Sequence, residues 1–97
     1  MTALELNSAV STNTPLENPS NVEQALWLAG TGQWDAAHDM CNGELPEPAS
    51  SWIHAHLHRQ EGDLSNANYW YSRAGETMPD NDVSIKQEWA QLVDALV

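Results

Sequence analysis

The chain has 97 residues, fourteen of them acidic and three basic, for a formal charge of −11; this length holds one domain, and this charge repels phosphate backbones. The only cations, Arg59, Arg73 and Lys86, are too few and too scattered for the basic stripe that nucleic acid requires, and anionic membrane surfaces are disfavoured on the same ground. Cys41 is the single cysteine, so no internal disulfide forms, and with no basic-then-apolar leader and no run of about 18 apolar residues the chain reads as a cytoplasmic protein.

Residues 1–20 are rich in Ser, Thr, Asn and Pro and poor in large apolar groups, the composition of a flexible N-terminal tail. Leu4, Leu6, Val10 and Leu16 can still lie across a groove of the folded part. Residues 21–97 are expected to form the single domain.

A first helix begins after Ser20, which has the capping-box spacing to Glu23, and Val22, Ala25, Leu26 and Ala29 give it an apolar stripe. Gly30 and Gly32 end it. A second helix covers 33–41 with Trp34, Ala37 and Cys41 on its apolar line, and Asn42 and Gly43 suit its C-terminal cap. The proline-containing stretch 44–49 is a connector. Ser50 or Ser51 is the expected cap of a third helix that carries Trp52, Ile53, Ala55 and Leu57 and stops near Gly62; Asp63 then caps a fourth, which ends around Gly75. On that fourth helix Leu64, Ala67, Tyr71 and Ala74 form the packing stripe. After a break at 78–82, Asp82 or Ser84 starts a last helix with Ile85, Trp89, Leu92, Val93 and Leu96 at helical spacing.

An offset of about thirty residues superimposes Ala25 on Ala55, Gly32 on Gly62 and Ala37 on Ala67, as expected of stacked helical hairpins. In such hairpins an alanine on each helix allows close approach and a glycine makes the turn. The pattern resembles the tetratricopeptide and Sel1-like helical repeats. The second hairpin carries the resemblance best, with Ala55, Gly62, Ala67, Tyr71, Ala74 and Pro79 at the characteristic places and ANYWYSRA over 67–74 similar to the Sel1-like run. Over 34–38 and 58–75 the chain also resembles a group of small bacterial and fungal proteins sharing the phrases WDxAH and HRxEGDxxNAxYWYxRxG. The resemblance implies an all-α fold of two antiparallel hairpins plus a C-terminal closing helix. Two repeats are fewer than the three or so such folds need, so the last helix or a homodimer contact must supply further burial; Trp27 and Trp89 are the candidates for it.

Three histidines, His54, His56 and His58, stand at alternate positions of the third helix. Residues two apart on a helix point about 200° apart, so only His54 and His58 share a face. The repeat register turns those two inward, towards a hydrogen-bond network with partners such as Asn66, Asp35 or Glu61; the alternative is a metal or small-molecule site on His54 and His58, joined by His38. Trp52, His56 and Arg59 with Trp70 and Arg73 then form an exposed face, the concave side on which such arrays bind peptides, with Arg and Trp the residue types of binding hot spots. Arg59 is expected to pair locally with Glu61 or Asp63, and Arg73 with Glu76 or with an aromatic ring. No catalytic constellation and no cofactor motif is present, and Cys41 on an apolar line reads as inert. The leading expectation is a protein-interaction module for an unidentified protein or peptide, and a structural homo-oligomer is a further alternative.

Overall fold

A computed structural model describes all residues, Met1–Val97. It is all-α: α1 (Ala3–Ser11), α2 (Asn21–Gly30), α3 (Trp34–Met40), α4 (Ala49–Gln60), α5 (Leu64–Ala74) and α6 (Ile85–Leu96). No helix is long and apolar enough to cross a membrane.

Local chemistry starts most of these helices. Ser20 with Glu23 and Ser84 with Gln87 form complete capping boxes, and Asp63 accepts from the Asn66 amide at the head of α5, contacts worth about 1 kcal/mol each. At α4 the expected serine cap is replaced. Pro48 occupies the cap position, and the Glu47 carboxylate accepts from both the amide (2.8 Å) and the hydroxyl (2.6 Å) of Ser51. Each carboxylate oxygen serves one of the two donors.

The N-terminal segment departs from the expected tail. Thr2 and Glu5 form a third capping box, and Leu6 is fully buried in the main core against α2 and α6. One leucine aimed into a groove outweighs the polar composition around it, because burying it stabilises by roughly 1.5–3 kcal/mol.

Short turns pair α2 with α3 and α4 with α5, and α6 closes over α2 and α4. The alanines at the thirty-residue offset, Ala25 with Ala55 and Ala37 with Ala67, are all fully buried, and the two turn glycines share a left-handed backbone, with φ of +78° at Gly32 and +83° at Gly62. Leu64 differs from the expected packing stripe. As the first residue of α5 it lies beside the turn and stays half exposed, while Ala67 and Tyr71 go inward.

Helix α4 is the axis of the fold. Ile53 to Leu57 and His58 are all buried, so this helix has no solvent face over its middle turns, the pattern of an element packed all round. Trp89 of α6 lies flat over the end of α2: a Cβ on Gly30 would stand 2.9 Å from its ring, and its indole N–H donates to the Leu26 carbonyl at 2.8 Å. Trp27 is also buried, and its Nε1 has no partner.

Candidate functional site

The burial of α4 on all sides converts its histidine run into two separate polar clusters. Helical geometry sends His54 and His58 one way and His56 the other. Both directions meet protein.

On the first side, His38 of α3 joins His54 and His58. The ligand atoms of the three imidazoles all lie within 4.8 Å of one another, and the Nε2 atoms of His38 and His54 are 3.0 Å apart. A tetrahedral ion with bonds of about 2.0–2.1 Å sets its ligand nitrogens roughly 3.3 Å apart, so this pair is already close to the needed separation. Aromatic rings hold the cluster on both flanks: Trp34 stacks on His38 at 4.7 Å and Trp70 on His54 at 4.0 Å, while His54 and His58 stack on each other at 4.8 Å. The Trp34 indole N–H donates to the Leu57 carbonyl at 2.7 Å, which fixes α3, and with it His38, against α4.

Hydrogen bonds also set the tautomers. Glu61 Oε1 lies 2.7 Å from His58 Nδ1, so that nitrogen donates and Nε2 carries the lone pair, next to the Asn66 amide at 3.4 Å. A carboxylate behind an imidazole in this way orients the ring and raises its basicity as a ligand. Burial, then the neighbouring His38 and His58, push the His54 pKa down from 6.5 to about 4, against the opposing pull of Glu47. At neutral pH His54 is therefore an uncharged imidazole, the form that ligates metals.

That shift has a stability consequence in the metal-free protein. Between pH 6.5 and about 4 the unfolded chain protonates His54 while the folded chain does not, so the folded state loses ground as pH falls. Urea midpoints measured at pH 7 and pH 4.5 should show that loss, and the difference should shrink in His54→Gln.

On the second side of α4, His56 is fully buried, with Nδ1 2.7 Å from Glu88 Oε1 of α6. Arg59 donates to the same oxygen at 3.2 Å, Tyr71 of α5 donates to the other Glu88 oxygen, and Gln60 Nε2 meets His56 Nε2 at 2.9 Å. Arg59 also donates to the Val83 carbonyl. Here the structure corrects the sequence reading. His56 and Arg59 are not part of an exposed face, because α6 covers it and delivers Glu88; Glu61, expected near Arg59, serves His58 instead. Of the expected five only His56 is fully buried; Arg59 is partly accessible but its guanidinium is taken up by Glu88 and Val83, Trp52 and Trp70 are partly accessible, and the exposed Arg73 lies over Tyr69 and Trp70, with its guanidinium carbon 5.4 Å from the Trp70 ring centre, rather than on Glu76. Glu88 was missed because it is 29 and 32 residues from its partners and sits on a helix whose apolar stripe gave no sign of a buried carboxylate. Cys41 is half buried, and burial, then Glu47, push its thiol up to about 12, so it is protonated at neutral pH.

No protein-family model, curated protein or solved structure matches the chain.

Proposed function

We infer that the protein binds a first-row transition ion of the zinc type through His38, His54 and His58. The observation that carries this reading is the convergence of three imidazoles within 4.8 Å of one another. Imidazole suits zinc, copper and nickel. Three neutral donors leave a fourth position for water or for a side chain of a partner, and the acidic exterior favours cations over anions. Between His38 and His54 one proton now serves two lone pairs aimed at the same point; an ion replaces that proton, and the displaced hydrogen moves to a Nδ1. The ligands come from α3 and α4, so the ion ties the first hairpin to the second. Neither cavity of the molecule borders the cluster, which favours binding or transfer of the ion over catalysis on a substrate. The helical-repeat reading supplies the scaffold, supported by the matched alanines and turn glycines, and the cytoplasm is the compartment in which we place this binding.

Protein purified without a histidine tag should take up one equivalent of Zn²⁺ or Ni²⁺, with a rise in melting temperature; at a hundredfold excess over Kd the stabilisation is about 2.7 kcal/mol. His38→Ala, on the least buried ligand, should abolish uptake. Glu61→Ala should weaken it about 10–100-fold through His58. Equal uptake by wild type and His38→Ala, or none by either, would remove the reading.

A second reading rests on Arg73. It is exposed in a chain of charge −11 yet makes no ion pair, and with Trp70 and the exposed Tyr69 it offers a small cationic and aromatic patch for an acidic group of a protein partner.

A further inference from the structure

The less open of the molecule's two cavities lies away from the histidines, between α1, the end of α2, the last residue of α4 and the start of α6. It measures about 480 Å³, within the usual range of small-molecule sites, roughly 300–1,000 Å³. Val10, Ala29, Ile85 and Trp89 give it apolar walls, and Ser11, Gln60 and Lys86 add polar groups. Trp89 owes its place in that wall to Gly30, whose missing Cβ lets the ring lie against the end of α2.

Charge distinguishes this cavity from the rest of the surface. Fourteen of 97 residues are acidic, yet none of the ten that line the cavity is, and one of the three cations is among them. The other two cations are engaged: Arg59 pairs with Glu88, and Arg73 lies over Tyr69 and Trp70. Lys86 makes no such contact. The Gln60 amide, its nitrogen 2.9 Å from His56 Nε2, adds a group with two donors to the same wall.

We propose that this cavity is a second site, independent of the metal centre, for a small apolar carboxylate, its hydrocarbon against Val10, Ile85 and Trp89 and its carboxylate on Lys86. The net charge of the chain opposes anions at long range. At physiological ionic strength that repulsion is screened beyond about 8 Å, so the contact with Lys86 and the burial of the hydrocarbon outweigh it.

Octanoate is the probe, with octylamine and 1-octanol as isosteric controls of opposite and zero charge. Titrated into the metal-free protein and followed by tryptophan fluorescence and by backbone amide shifts, octanoate should saturate one site, with the largest shifts at Val10, Gly30 and Trp89. Octanol and octylamine should bind at least tenfold more weakly. Lys86→Gln, at an exposed position, should weaken octanoate at least tenfold, and Ala90→Leu, which adds bulk to the cavity wall, should weaken it as well. His38→Ala should bind octanoate as wild type does, separating this site from the metal centre. Absence of saturable octanoate binding, equal binding of the three probes, or an unchanged affinity in Lys86→Gln would each overturn the proposal.

Discussion

Replacing Glu88 by alanine is expected to cost about 3–5 kcal/mol of folding stability, the range for breaking a buried ionic network by removing one partner. A 97-residue domain has roughly 5–15 kcal/mol in total, so this single change approaches the limit of folding. The size follows from what is left behind: His56 and Tyr71, both fully buried, lose the acceptor that satisfies them, and Arg59 loses its counter-charge. Glu88→Gln separates the charge from the hydrogen bonds. It preserves volume and one acceptor, and should cost less than alanine but still destabilise measurably. Urea unfolding of the two variants, with a double-mutant cycle through Tyr71→Phe, checks both values; additive effects of Glu88→Ala and Tyr71→Phe would mean the contact is not energetically coupled. The network also predicts a pH dependence. Burial alone would raise the Glu88 pKa, but hydrogen bonds from His56 and Tyr71 and the charges of His56 and Arg59 outweigh it and hold the carboxyl below its usual 4.5. A depressed folded-state pKa contributes stability above pH 4.5 that is lost as the pH falls through the folded value. Glu88→Gln should not show that acid loss.

Leu6→Ala is the second large effect, about 2–5 kcal/mol, the range for removing a fully buried leucine from a packed core. Leu4, two residues away and 80% exposed, is the internal control, and Leu4→Ala should change stability by less than about 0.5 kcal/mol. The contrast decides whether α1 is part of the domain. A flexible segment would make both substitutions neutral, whereas a docked helix makes them differ by several kilocalories. Circular dichroism melts of the two variants are sufficient to see it.

Much of the architecture was legible because its signals are local. Ser20, Asp63 and Ser84 each cap a helix from three residues away, and Gly32 and Gly62 make the turns between paired helices. The tail expectation failed at Thr2, Glu5 and Leu6 for a different reason. A capping box is visible in sequence, but its value depends on whether the following leucine finds a groove, and that groove is made by α2 and α6. Leu64 failed in the same way: its spacing fits the apolar stripe, but position at the end of a helix, not spacing, set its exposure.

The sequence by itself determined α2 to α6, the turns between them and the angular separation of His56 from His54 and His58, since these follow from backbone periodicity and nearest-neighbour hydrogen bonds. Tertiary structure alone decided what each histidine meets. Packing α3 and its Trp34 against α4 brings His38, sixteen residues distant, to His54, while packing α6 across the opposite side brings Glu88 to His56 and Arg59. No short-range pattern encodes those pairings, because they are set by where whole helices come to rest as they bury their apolar stripes. The His56 and Arg59 part of the face expected to receive a partner was claimed by α6 for that reason: a chain this short needed the burial more than it could leave this side of α4 open to water.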